Sequence, residues 1–415
     1  MGVETLADQT IVSGANWCTA AIIARLCPPT EFGIYILGYT VLLALAEVQA
    51  SLVSHPYTVF SSRLGGRASA LYTGSSLVYQ AMLAAVAVVA VATGALAAHV
   101  GWGPVGLSEV LAALAIVLPL VLLKEHVRRI CFAALHIRRA LLVDGLASLA
   151  QLGLLLLFGL HHQLSARSAY WSIGIASAVA VFTWLVLWRS EIAFDARNAR
   201  AGLKETWSFG KWILGGNMAT LLSQQLYPWF LAWRWGPAAT GVLAACMGLI
   251  AVSNPAVYAA GNILGPTTAH AFTTGRTALR RVVVRAIALM APVALASWLV
   301  IALFGGRALV LIYGEQYRGN SWLLTLLAVS SAMYAAFLAA GFGTWAMGRS
   351  DVNCVINVGA LVGTVTIGLW LVNVAGLSGV GYGLLVTNGL AAVGRWVGFE
   401  RLVVKERMPG DAPTS

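Results

Sequence analysis

Glu47 is the one carboxylate deep within an apolar stretch, at 32–54. A charge in hydrocarbon costs about 2.5–3.5 kcal/mol on insertion scales, so it must be protonated, paired or wet. Tyr39, Ser51 and Ser54 lie roughly on its helical face. Two roles stay open: a protonatable or cation-coupling site in a lumen, or a hydrogen-bonded neutral acid near the inner boundary. Three other apolar stretches carry polar stripes at helical spacing, namely Gln9, Ser13 and Asn16; Asn217, Thr220, Gln224 and Tyr227; and Asn353, Asn357 and Thr364. Such residues hydrogen-bond between helices for about 0.6–2 kcal/mol each, or they line a shared polar cavity. Arg25 and Arg234 end two of these stretches. Their guanidiniums either snorkel to the interface or meet an anion. The substrate-binding candidates are therefore Arg25, Arg234, Asn16, Asn217, Gln224 and Tyr227, with Glu47 as the coupling candidate.

Membrane helices must position these groups. The 415 residues are 59% hydrophobic and 10% charged, where soluble domains carry about 25% charged residues. Mean hydropathy is +0.82. A bilayer core needs about 20 apolar residues per helix. Twelve spans fit, near 9–27, 32–54, 73–98, 106–123, 141–160, 168–188, 207–232, 238–263, 282–304, 321–345, 352–373 and 378–398. Continuous apolarity over such lengths excludes barrel strands. MGVETLAD has no Lys or Arg before the first apolar run, which we expect to be a retained helix rather than a signal peptide. Pro228 and Pro255 are placed to kink the seventh and eighth spans.

Other suggestive letters carry less. The five cysteines are scattered without metal or disulfide spacing, and His161-His162 lacks nearby carboxylates. Segment 124–139, KEHVRRICFAALHIRR, suits a solvated helix against lipid headgroups. The glycines of GLSGVGYG at 376–383 follow no strand, so they serve close helix packing and not a nucleotide. No metal and no cofactor is expected, and nothing resembles a nucleic-acid footprint.

The chain contains one corner twice. ARLCPPTEFGIYIL at 24–37 and AWRWGPAATGVLAA at 232–245 are offset by 208, which places Ala24 on Ala232, Pro29 on Pro237 and Gly33 on Gly241. At the same offset Gln9 falls on Asn217 and Asn16 on Gln224. Six spans per repeat is an even number, so both copies enter the membrane in one orientation, a parallel repeat. We expect an all-α polytopic membrane protein of about twelve helices in two six-helix bundles: 1–190, a linker at 191–205, 206–400, and a tail at 401–415. With the N-terminus inside, twenty-one of the twenty-six Lys and Arg fall on inside segments and five outside. That bias sets both termini in the cytoplasm, and the basic inner segments would contact anionic membrane lipids.

LADQTIVSGANW at 6–17, ARLCPPTEFGIYIL at 24–37 and SLVSHP at 51–56 resemble the opening of bacterial polysaccharide flippases of the multidrug/oligosaccharidyl-lipid/polysaccharide exporter superfamily. GPAATG at 236–241, YGEQY at 313–317, GRS at 348–350 and GLSGVGYG at 376–383 are similar to that family's weaker landmarks. The resemblance implies two six-helix bundles around a central cavity, in a multi-pass protein of the cytoplasmic (inner) membrane. It implies movement of a polyprenyl-pyrophosphate-linked saccharide from the inner to the outer leaflet by alternating access. Drive by protons, sodium or membrane potential, and partnership with polysaccharide assembly proteins, belong to the same expectation. Multidrug exporters of the superfamily typically carry a coupling carboxylate in the first helix. Here the first span has only Asp8, at its mouth, which argues against that branch. A membrane polymerase or ligase would need a large outside loop with catalytic Arg or His, and the longest, 305–320, is short.

A cysteine introduced at 308–318 should react with an impermeant maleimide from outside, and one at 195–200 should not. The reverse labelling would overturn the orientation.

Overall fold

The computed structural model describes residues 2–61, 64–188, 192–252 and 254–405. Helices account for nearly all of them, and no strand occurs among the described residues. The chain divides into two compact units. The first comprises 1–221 with 236–241, and the second 222–235 with 242–415.

In the first unit, α1 (Gly2–Leu26) packs on α6 (Ile137–Leu160), and α5 (Leu107–Ala133) is central, against α2 (Pro29–Gln49), α4 (Gly66–His99), α6 and α7 (Ala166–Trp188). A short α3 (His55–Ser61) continues α2 beyond a π-turn at Ala50–Ser54. The wide turn inserts an extra residue, and it leaves Gln49, Ser51 and Ser54 all buried. The long α8 (Ala196–Trp235) begins in this unit and ends in the other.

The second unit continues with α9 (Pro237–Ala251), α10 (Asn254–Thr274), α11 (Arg276–Tyr313), α12 (Ser321–Ala336), α13 (Leu338–Ala346), α14 (Ser350–Gly363) and α15 (Leu369–Lys405). Here α12 packs between α11 and α15, and α13 bridges α10 and α15. The chain turns within α15 at Gly376, with φ 58° and ψ −130°, a conformation that L side chains resist. Sequence alone puts the boundary between the last two spans there.

Among the described residues, eight segments are long and apolar enough to cross a membrane by length and composition. The expected spans that fall short do so for local reasons. The start of α8 carries charged residues, and α9 stops at Ala251 after 15 residues. Pro255 lies in the first turn of α10, where a missing N–H costs nothing. Pro228, in contrast, sits inside a continuous α8.

The pattern of burial is that of a membrane protein. α6 exposes Leu149 at 72% while burying Asp144, and Asp8, Gln49, Gln80 and His126 are likewise inside. Apolar surface outward and polar groups inward is the arrangement lipid selects.

The repeated corner is where its two copies touch. A Cβ on Gly33 would run into the carbonyl of Pro237, and one on Gly241 into the carbonyl of Pro29. Contact of i with j matched by j with i is the mark of a two-fold relation. Pro29 and Pro237 each occupy the first helical position, with no N–H to satisfy.

Gly33→Ala should therefore lower the melting temperature of the purified protein, by about 1–3 kcal/mol of overpacking. Gly14→Ala, facing open space, should leave it unchanged. Equal melting of the two would remove the close approach.

Candidate functional site

The first unit encloses a cavity of about 320 Å³. Asn16, Tyr39, Glu47 and Ser54 line it, together with Lys124, Glu125, Arg128, Arg129 and Gln151. The expected face of Glu47, Tyr39 and Ser54 thus meets Asn16, one member of the expected stripe of α1, across one space. Ser51, the fourth member, donates its hydroxyl to Glu47 Oε1 at 3.3 Å.

Glu47 has a second partner. Asn217 on α8 donates Nδ2 to the same Oε1 at 2.6 Å, so two candidates 170 residues apart meet directly. Two donors and a polar cavity are the partners that a carboxylate at this depth in an apolar helix needs.

Beside the cavity lies a denser network. Arg128 Nη2 donates to Asp8 Oδ2 at 2.7 Å and to Gln9 Oε1 at 3.3 Å. Its Nε is 2.7 Å from Asp144 Oδ2, an ion pair without hydrogen-bond alignment. Lys124 pairs with Glu125 at 3.0 Å. Arg128 is 12% exposed and both aspartates are essentially buried, so α1, α5 and α6 are tied through one guanidinium. His126 is fully buried nearby, with Nε2 2.9 Å from Ser76 Oγ and Nδ1 3.4 Å from Ser54 Oγ.

This corrects our expectation for 124–139. Lys124, His126 and Arg128 face the interior of the bundle, and of the basic residues before Ala133 only Arg129 is exposed. Sequence reading missed Glu125, Arg128 and Asp144 because a basic run looks the same whether its partners are phosphates or distant aspartates. One signal was available: Asp8 and Asp144 each stand one or two turns inside an apolar helix and need a cation.

The other candidates are not gathered around this cavity. Arg25 is exposed in the last turn of α1. Arg234 is exposed at the end of α8, donating Nε to Asn373 Oδ1 at 3.1 Å and lying 5.7 Å from the Trp235 ring. Gln224 is exposed. Tyr227 is fully buried in the second unit, its hydroxyl set among Gly368, Gly383, Thr364 and Thr387. There it packs helices and meets no open space. Thr220 lies outside the described side chains. Of the cysteines, Cys27 is buried at the corner, where it packs. No cluster of His, Cys, Asp or Glu suited to a metal occurs among the described residues.

Residues 22–322 match the family described as polysaccharide biosynthesis protein. The chain belongs to the polysaccharide biosynthesis protein family. Known structures agree in fold. An inward-facing conformation of a multidrug resistance MATE family transporter of the MOP superfamily aligns with TM-score 0.75 at 17% identity, over 95% of this chain and 94% of that one. The outward-facing conformation of such a transporter aligns with TM-score 0.66 at 14% identity, over 97% and 94%. A MOP superfamily transporter from Pyrococcus furiosus, described for the reverse polarity of its binding pocket, aligns with TM-score 0.61 at 14% identity, over 97% and 94%. No curated protein matches by sequence. This member of the polysaccharide biosynthesis family thus has an all-α membrane fold of about twelve helices in two six-helix bundles with a parallel internal repeat.

Arg128→Ala should be severely destabilising, by about 3–5 kcal/mol, because it strands two buried aspartates. Arg138→Ala removes a contact to Glu4 from a side chain that is 88% exposed, and it should change the melting temperature little. Similar melting of the two variants would mean the network is wet.

Proposed function

We propose that the protein is a transporter that flips a polyprenyl-pyrophosphate-linked saccharide from the inner to the outer leaflet for cell-surface polysaccharide synthesis. The family match over 22–322 carries this proposal. The need is physical: a sugar-pyrophosphate head cannot cross about 30 Å of hydrocarbon unaided. A polar interior replaces its hydration while the lipid tail stays in the bilayer, and alternating access exposes that interior to each side in turn.

The cytoplasmic (inner) membrane, with both termini inside, is the placement the basic-residue bias favours. Arg25 and Arg234 are proposed to draw the pyrophosphate, Asn16, Asn217, Gln224 and Tyr227 to contribute to the binding regions, and Glu47 to couple flipping to protons, sodium or membrane potential. The fully buried setting of Tyr227 gives it a packing part in this scheme.

A cation-coupled multidrug exporter of the same fold is the second reading, favoured by the multidrug transporters among the similar structures. Against it, the first-helix carboxylate, Asp8, is engaged by Arg128 at 2.7 Å. A polymerase or ligase would need catalytic groups on a large loop, and 305–320 offers only Arg307, Glu315 and Arg318.

In proteoliposomes at matched protein levels, Arg25→Ala and Arg234→Ala should slow the appearance of lipid-linked saccharide in the outer leaflet more than the lysine variants do. Lysine keeps the charge and loses only the bidentate fork. Normal flipping by both alanine variants would remove the arginines from the site. Drug efflux without any flipping by the wild type would favour the exporter.

A further inference from the structure

The second unit buries a cation that no described carboxylate of this unit pairs with. Arg395 on α15 is 9% exposed. Its guanidinium carbon lies 4.8 Å over the Tyr334 ring of α12, and Nη2 makes one long donation, 3.4 Å, to Asn357 Oδ1 on α14. Nη1 is buried without any hydrogen-bond partner. The carboxylates described in this unit are all engaged elsewhere: Glu315 with Arg318, Asp351 with Arg349 and Glu400 with Arg280.

An arginine cannot escape by losing its proton. Stacking on tyrosine and one long bond to an amide leave most of the charge uncompensated, and an isolated buried charge is among the most expensive groups in a protein. A second polar atom beside the cation is also without a partner. One turn before Asn357, Asn353 donates to Gly341 O at 3.0 Å and Thr344 Oγ1 at 2.6 Å, while its own Oδ1 has no donor. A Cβ added to Gly341 would stand 3.5 Å from that Oδ1 and 3.8 Å from Arg395 Cδ, so the glycine leaves a notch bordering both. Tyr334 is 39% exposed and Asn357 half-buried, which puts the cation one side chain away from the surface of the unit.

We propose that Arg395, with Tyr334 and Asn357, anchors a binding site in the second unit for a phosphate-bearing anion. Phosphate oxygens would take the orphaned Nη1 and replace the long Nη2 bond, in the forked geometry that guanidinium offers phosphate. The Asn357 amide, rotated, adds an Nδ2 donor. On the function proposed above, the natural occupant is the pyrophosphate head of the lipid-linked saccharide. Only the identity of the occupant rests on that function; the site follows from the unpaired charge.

The test uses the full chain in phosphatidylcholine nanodiscs, with binding read by melting temperature. Inorganic pyrophosphate should stabilise the wild type. Arg395→Gln should weaken that binding at least about tenfold, or about 1.4 kcal/mol, without lowering the ligand-free melting temperature, since an unpaired charge is removed. Asn357→Asp should raise the ligand-free melting temperature and abolish pyrophosphate binding, because it supplies the missing carboxylate; it also decides the matter if Arg395→Gln fails to fold. Displacement of pyrophosphate by polyprenyl diphosphate would assign the site to the lipid-linked head, and displacement only by phosphatidylglycerol would assign it to a membrane phospholipid. Binding of pyrophosphate that depends on Arg395 but yields to neither lipid would keep the site and count against the lipid-linked occupant. Equal stabilisation of wild type and both variants, or no shift of the wild type by any probe, would overturn the proposal.

Discussion

In a helix bundle surrounded by lipid, a polar side chain has no solvent to fall back on. Its partner must be another part of the protein, a trapped water or a ligand. The first unit depends on this at Arg128. One guanidinium reaches Asp8 on α1 and Asp144 on α6 from α5, the central helix of the unit. Hydrophobic burial cannot select the order of helices in a membrane, because lipid tails are as apolar as leucine. Directional partners can. The aspartates fix which helices stand beside α5 at this end of the bundle, and His126, held by Ser54 and Ser76, does the same for the π-turn and α4.

The same constraint ties the polar cavity to the fold. Glu47 stands just before the π-turn, and its two donors come from the turn itself and from α8. Without the extra residue of that turn, the inward set of Gln49, Ser51 and Ser54 could not be buried together on one helical face. Gln49 then donates across to Leu122 O at 3.1 Å, next to the charged network on α5. The cavity is thus walled by groups whose hydrogen bonds are mostly spoken for, while Asn16 and Arg129 remain exposed. Such a surface is preorganised, since a ligand meets dipoles already held in place.

What could be read from the chain was whatever follows from local periodicity or from a repeat at one offset. Span positions come from apolar length, and the equivalence of Gly33 and Gly241 comes from the repeated Pro-x-x-x-Gly, although nothing in the repeat says that the two copies touch. Glu47 was legible as a candidate because a lone carboxylate in an apolar run needs an explanation wherever it ends up. Its bond to Asn217 was not, since no periodicity links two residues 170 apart. The basic run at 124–139 misled because helical phase tells which residues share a face and not what that face meets. Tyr227 shares a helix face with Gln224, yet glycines at 368 and 383 let the second unit close over its ring. Those glycines act at a distance in sequence that no stripe on α8 could signal.

The two units handle buried charge in opposite ways, and the difference bears on what each can do. In the first, the buried cations Lys124 and Arg128 each have a carboxylate within ion-pair distance, so removing one member leaves a charge that the structure was built around. In the second, Arg395 has an aromatic face and an amide. Neutral partners lower the energy of the cation without cancelling its field. A protein can keep such a residue when the missing counter-charge arrives with a ligand, because the field that destabilises the empty state is the field that binds the anion. Binding then depends on the difference between the two states, and a site that is strained when empty gains more from its ligand than one already satisfied. For a transporter this has a further consequence. A ligand that relieves strain in one conformation and not in another shifts the balance between them by that difference, so an unpaired cation in one bundle can connect occupancy to conformational change.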